Sequence, residues 1–172
     1  MERSITLPAF SNEEFIKAHI FLASRVATMM GRKLEEGDWS YVYCTAKNIP
    51  NKGWSNLNID VMHQGLGVEH KMLCVKSNKS IKDFCGTSPM HPAATRSIRI
   101  PSTEDDPTKV AHDILHQYAL LIEQRRQRIA QDAPNTEPDL RTGWLLWQES
   151  LREFLYFEEE MRPPKPDDYW AE

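Results

Sequence analysis

Apolar residues recur at helical spacing in two long stretches of the chain, residues 11–34 and 106–131. In the first stretch, Ser11 and Glu14 have the spacing of a capping box, and Gly31 follows the apolar run. In the second, Pro107 suits the first turn of a helix, and apolar side chains follow it at intervals of three or four. We therefore predict one long helix in each half of the chain.

Shorter apolar runs between and after these helices predict strands. Residues 39–46 include Tyr41, Val42 and Tyr43, which favour a strand, and residues 58–73 have the pattern of strand, glycine turn and strand. Residues 96–100 alternate between polar and apolar, and the aromatic runs 143–147 and 154–157 favour two more strands, with a helix as the alternative. The mixture predicts an α/β domain with a central mixed β-sheet flanked by helices.

The predicted hairpin carries two acids and a lysine in the order Asp60, Glu69, Lys71. Side chains alternate along a strand, so Glu69 and Lys71 point to the same face. If His63 pairs with Val68, Asp60 lies opposite Lys71, and the cross-strand separations are roughly 5 Å directly and about 7–8 Å on the diagonal. Both carboxylates can then reach one ion.

These residue types suit a metal-assisted hydrolysis. Magnesium prefers hard oxygen ligands, which Asp60, Glu69 and the backbone carbonyl of His70 supply, and Mn²⁺ can substitute for it. The ion makes hydroxide available near neutral pH, while Lys71 orients the attacking water or offsets negative charge on the phosphate.

The arrangement resembles the PD-(D/E)xK nuclease superfamily, with Asp60 at the lone Asp, Glu69 at the (D/E) and Lys71 at the final Lys. Ile59 stands where the motif has proline. The resemblance covers roughly residues 11–130 as an order of elements. It implies the restriction-endonuclease-like fold, catalysis by Asp60, Glu69 and Lys71, and Mg²⁺-dependent cleavage of double-stranded DNA in restriction or another defence against foreign DNA.

The resemblance also carries expectations beyond the motif. A helix before the motif often lends a further carboxylate in this superfamily, for which Glu13 and Glu14 are candidates, although capping explains Glu14. We expect residues 1–132 to form the nuclease core and residues 133–172 to form a C-terminal extension. One interpretation is that this extension leads to a further domain outside this chain. Cutting both strands with one site per chain predicts a homodimer.

Three alternatives stay open. The same charges on a half-exposed hairpin form an ordinary surface ion pair, which stabilises little. A catalytically inactive member of the same fold binds nucleic acid or a partner protein. A zinc hydrolase uses His112 and His116, which lie four residues apart on the second helix, although no third ligand stands out.

Composition and charge narrow the class of protein. The chain has 172 residues, 40% hydrophobic and 27% charged, which is ordinary for one soluble domain. Neither a membrane-length apolar run nor a signal peptide is apparent, and the three cysteines lack metal-like spacing, so we expect a cytoplasmic protein with reduced thiols and no membrane partner.

The net charge of −4 argues weakly against a general nucleic-acid binder, but the charge is unevenly distributed. Residues 71–99 hold six basic residues against one acidic residue, directly after the motif. A phosphate backbone is expected along such a stretch. The candidates for DNA contact are Lys76, Lys79, Arg96 and Arg99, and the alternative is that they are simply solvated.

Overall fold

The computed structural model describes residues 6–50, 59–75, 81 and 106–169. The helices are α1 (Asn12–Thr28), α2 (Glu36–Ala46) and α3 (Pro107–Asp132), with a short 3-10 helix at Pro166–Asp168. The strands are β1 (Thr6–Leu7), β2 (Val61–His63), β3 (Leu66–Val75), β4 (Asp139–Gln148) and β5 (Phe154–Glu160). Within these ranges no helix combines the length and apolar character needed to cross a membrane.

The described strands form one mixed sheet in the order β1-β5-β4-β3-β2. Strands β3 and β4 run parallel through the middle, and each of the other neighbouring pairs is antiparallel. The predicted α/β class with a mixed sheet and flanking helices is therefore confirmed. The domain boundary predicted after residue 132 falls between α3 and β4. Strands that precede this boundary in the sequence and strands that follow it belong to the same sheet.

Helices cover the two faces of the sheet. Val68 packs in a core cluster with Trp39, Tyr43 and other residues of α1 and α2. On the opposite face, Gly67 lies so close to Ile129 of α3 that a Cβ at this position would clash with its side chain. The motif strand β3 is thus enclosed between α2 and α3.

Helix α1 begins as predicted and ends early. Ser11 and Glu14 form the capping box, with Glu14 Oε2 accepting from the Ser11 N–H at 2.8 Å. Met30 and Gly31 have positive φ angles of 52° and 84°, which end the helix before the predicted residue 34. Phe15, from the predicted apolar face, is exposed together with Ile16 and Ile20.

The strand predicted at residues 39–46 is wrong, because this segment forms helix α2. Its buried residues include Trp39, Val42, Tyr43 and Ala46, at positions i, i+3, i+4 and i+7. That spacing is the period of a helix face. Burial of this face outweighs the local β preference of the tyrosines and valine.

The hairpin is confirmed, but the conditional register is off by two residues. His63 pairs with Leu66 and Val61 with Val68, so the loop has only two residues, Gln64 and Gly65. Both have positive φ, 48° and 88°, as a type I′ turn requires. A shift of two residues keeps each paired side chain on its face, so Glu69 and Lys71 stay together, whereas Asp60 lies outside the paired residues.

Candidate active site

Asp60 stands immediately before β2 and is fixed from two directions. Its N–H donates to the carbonyl of Val68 at 3.0 Å, and its Oδ2 accepts from the backbone N–H of His70 at 2.6 Å. The paired residues of β2 and β3 end at Val61 and Val68, so Asp60 lies next to Val68 at the end of the pairing and not opposite Lys71 as predicted. The turn and the ladder therefore hold this carboxylate at the edge of β3, beside the rest of the motif.

Glu69 and Lys71 point to the same face of β3 and form an ion pair. Only 3% of Glu69 is exposed, whereas Lys71 is half-buried. The other oxygen of Glu69 is paired with Arg125 of α3, which is 1% exposed. One buried carboxylate thus faces two cations, and this is a buried ion-pair network rather than the surface pair of the alternative interpretation.

Burial raises the pKa of Asp60 to about 7, and the negative charges of Glu36 and Glu69 act in the same direction. The hydrogen bond from His70 and the positive charge of Lys71 oppose the rise in this pKa. The three motif residues are therefore within electrostatic reach of one another. A carboxyl group with this pKa takes up a cation or a proton readily near neutral pH.

Glu36, the first residue of α2, acts on Asp60 electrostatically, and the residues beside it are tied to α1. The neighbouring Asp38 accepts from Arg25 Nε at 2.7 Å and from Arg32 Nη2 at 2.6 Å, and a third bond comes from the Glu35 N–H at 3.0 Å. These contacts hold the pKa of Asp38 well below its usual range. They tie the start of α2, where Glu36 lies, to the end of α1.

His70 has different roles for its backbone and its ring. In a strand, the N–H and C=O of one residue point to the same side, so the His70 carbonyl faces the Asp60 side of β3. The ring lies on the opposite face against Trp39, Tyr43 and Tyr156, with Nδ1 3.1 Å from Ser40 Oγ. Burial lowers the pKa of His70 to about 3, so the imidazole is neutral.

A cleft of about 360 Å³ opens between α3 and the sheet beside the motif. Glu69, Lys71 and Arg125 lie along one part of it, and an apolar wall lies along the rest. The lining residues from α3 and β4 include Ile114, Leu115, Tyr118, Ile122, Thr142 and Trp144. The motif therefore borders a space large enough for a small ligand.

Other predicted site residues lie elsewhere or outside the described residues. Glu13 pairs with Lys17, and Glu14 serves the capping box and Lys47, so neither carboxylate is committed to the motif. The predicted strand at residues 96–100 falls outside the described residues. So do the four predicted DNA contacts, which are Lys76, Lys79, Arg96 and Arg99.

The histidine pair gives no support for a zinc centre. His112 Nε2 lies 2.8 Å from the carbonyl oxygen of Tyr169, to which it is placed to donate. In the part of the chain that the structure describes, no three histidine, cysteine, aspartate or glutamate residues gather as a metal site. Any cation at the motif must therefore use carboxylates together with backbone oxygen or water.

The sequence analysis missed Arg125 and Glu36. Arg125 follows Leu121 by four residues and precedes Ile129 by four, on the buried face of α3. A charge at a buried-face position needs a partner, and that signal was available. Glu36 carried no such signal, because α2 was predicted as a strand.

No protein-family model, curated protein or solved structure matches this chain.

Proposed function

We propose that this protein is a Mg²⁺-dependent DNA endonuclease with the restriction-endonuclease-like fold, acting in restriction or another defence against foreign DNA. The observation that carries the proposal is the buried Asp60 beside Glu69 and Lys71, with its pKa raised to about 7. Perturbed carboxyl groups of this kind concentrate at functional sites. The order of helix α1, motif hairpin and helix α3 is compatible with the same family.

The charge balance of the site supports a metal and a phosphate together. Three carboxylates, Asp60, Glu69 and Glu36, face two cations, Lys71 and Arg125, which leaves one negative charge in excess when all are ionised. A divalent cation changes that excess to one positive charge. A phosphodiester, with its single negative charge, then brings the group to neutrality, which favours binding both ligands over either one alone.

The residues divide the chemistry between them. Asp60, Glu69 and the His70 carbonyl are the oxygens that would hold Mg²⁺, which when bound would make hydroxide available near neutral pH and offset charge on the phosphate. Lys71, half-buried beside Glu69, orients the attacking water or stabilises the developing negative charge. Asp60 must lose its proton to act as a ligand, so activity rises with pH until that proton is gone.

A second candidate function is supported by the Arg125 contact. Since Lys71 and Arg125 both pair with Glu69, the charge of this buried carboxylate is compensated without a metal, as in a structural ion cluster. This observation favours a non-cleaving protein of the same fold, whose function is to bind nucleic acid or a partner protein. Mg²⁺ binding distinguishes the two, because the cleaving enzyme has to draw Glu69 away from at least one cation.

The experiment is to incubate the protein with plasmid in Mg²⁺, in Mn²⁺ and in EDTA, alongside the Asp60→Asn variant. The endonuclease gives nicked and linear products with either metal, and these products disappear in EDTA and in the variant. Plasmid bound but left intact by folded protein in both metals favours the second candidate. Mass spectrometry of the DNA ends then reports which strands are cut.

We further propose a homodimer on DNA, since two strands need two sites related by a two-fold axis. The exposed side chains Phe15, Ile16 and Ile20 on α1 give an apolar surface on which a second copy can pack. Light scattering of the free protein and of its complex with a short duplex tests this. A single chain in both samples contradicts it.

A further inference from the structure

The cleft beside the motif has an apolar wall with two aromatic side chains. Tyr118 of α3 and Trp144 of β4 line it together with Ile114 and Leu115. The indole of Trp144 is held in place, because its Nε1 donates to Glu159 Oε2 at 3.0 Å. A fixed aromatic wall of this kind suits a flat ligand that stacks.

The charged part of the same cleft favours an anion. Glu69 and Arg125 are both almost completely buried, yet both line the cleft, and Lys71 stands beside them. Asp60 and Glu36 do not line the cleft, so on its side of the group one carboxylate, Glu69, meets two cations, which leaves a local excess of positive charge. Arg162, also lining the cleft, pairs with Glu160 at 2.8 Å and adds no excess.

We infer that this cleft holds one nucleotide of the substrate strand, with its base against Tyr118 and Trp144 and its phosphate beside Lys71 and Arg125. The inference rests on the proposed function and names the form of the substrate. A base reaches such a wall only after it leaves the stack of its neighbours. The protein is therefore expected to prefer single-stranded or unpaired DNA over fully paired duplex.

The dimensions agree with one nucleotide. A volume of about 360 Å³ is at the lower end of the range that ligand pockets occupy, roughly 300–1,000 Å³. Stacking on aromatic side chains tolerates every base, so the cleft itself imposes little sequence preference.

The test blocks the cleft without removing a charge. Leu115→Trp places a large ring inside the cleft, and Leu120→Trp on the same helix is the matched control, because Leu120 is 66% exposed and does not line the cleft. Fluorescence anisotropy in EDTA measures the binding of a dye-labelled single strand, of a duplex with one unpaired base, and of a fully paired duplex. A second variant, Tyr118→Ala, removes one stacking surface without filling the space.

The inference predicts a preference for the single strand and the unpaired base. Leu115→Trp and Tyr118→Ala should each raise the Kd for these probes about fivefold or more, whereas Leu120→Trp should leave it unchanged. Competition by nucleoside 5′-monophosphates that is lost in Leu115→Trp also supports the site and shows that free nucleotides use it. Circular dichroism of each variant confirms that the fold is intact.

Two results overturn the inference. One is equal affinity for paired and unpaired probes, and the other is Leu115→Trp binding as tightly as Leu120→Trp. Because these measurements are made in EDTA, they are independent of cleavage. A protein that cuts duplex plasmid in Mg²⁺ but shows either result keeps the proposed function and loses the nucleotide cleft. A protein that prefers the single strand but does not cleave plasmid keeps the nucleotide cleft and loses the proposed endonuclease function.

Discussion

Replacing Arg125 by methionine tests the buried ion-pair network of the site. Removing one partner of a buried pair costs about 3–5 kcal/mol, because the other charge is left without compensation. Glu69 is 3% exposed, but it still pairs with Lys71 after the change. We therefore expect the free energy of unfolding to fall by the lower value of that range, about 3 kcal/mol. For a chain of this length, that loss lowers Tm by about 6–12 °C.

The same variant should respond more strongly to Mg²⁺ than the natural sequence does. Without the Arg125 guanidinium, the Glu69 carboxylate is more available, so Mg²⁺ binds more tightly and stabilises the folded state by mass action. Differential scanning fluorimetry in EDTA and across a Mg²⁺ series measures both effects. A larger Mg²⁺-induced rise in Tm for Arg125→Met than for the natural protein is the expected result.

Two controls make the outcome decisive. Arg128→Met alters an exposed arginine of the same helix and should change Tm little in either buffer. The double variant Arg125→Met with Glu69→Gln removes both partners and should lose less stability than the two single changes added together. An Arg125→Met variant as stable as Arg128→Met, with no extra response to Mg²⁺, would refute the account of this contact.

Three further predictions concern the pKa of Asp60, the packing at Gly143 and the basic stretch after the motif. Because the pKa of Asp60 is raised from 3.8 to about 7, ionisation of this group makes the metal-free fold less stable as pH rises through that interval. In urea unfolding with EDTA, the free energy of unfolding should therefore fall more between pH 5 and pH 7.5 for the natural protein than for Asp60→Asn. A Cβ at Gly143 would clash with the hydroxyl of Tyr156 and approach His70 Cδ2 to 2.9 Å, so Gly143→Ala should cost about 1–3 kcal/mol in the same assay, and an unchanged midpoint would contradict the packing. Replacing all four predicted DNA contacts with alanine should weaken DNA binding and flatten its salt dependence, and an unaltered salt slope would show that the DNA lies elsewhere. These four residues are Lys76, Lys79, Arg96 and Arg99.

Local signals predicted the parts of the fold that short-range physics determines. The Ser11–Glu14 capping box fixes the start of α1. The Gln64–Gly65 turn fixes the hairpin, and alternation along β3 puts Glu69 and Lys71 on one face. The grouping of Glu69 with Lys71 therefore followed from the strand period, whereas the register, and with it the neighbour of Asp60, did not follow from the sequence.

The remaining features depend on tertiary contacts. The segment holding Trp39 and Tyr43 favours a strand locally, but it folds as a helix because four of its side chains are buried at helical spacing. With α2 misassigned, Glu36 could not be placed near Asp60. The partnership of Arg125 with Glu69 joins residues far apart in the chain, and nothing in the spacing of α3 identified which anion the arginine meets.

The proposed catalytic centre is tested most directly by cleavage of plasmid by three single variants. The variants are Asp60→Asn, Glu69→Gln and Lys71→Ala, with Lys109→Ala, an exposed lysine of α3, as the control. We predict that all three lose most Mg²⁺-dependent cleavage while keeping their circular dichroism and DNA binding, and that combining Asp60→Asn with Lys71→Ala is scarcely worse than either change alone. Full cleavage by folded Lys71→Ala, or activity in every variant that simply follows its folded fraction, would contradict the centre and leave these charges as a structural ion cluster.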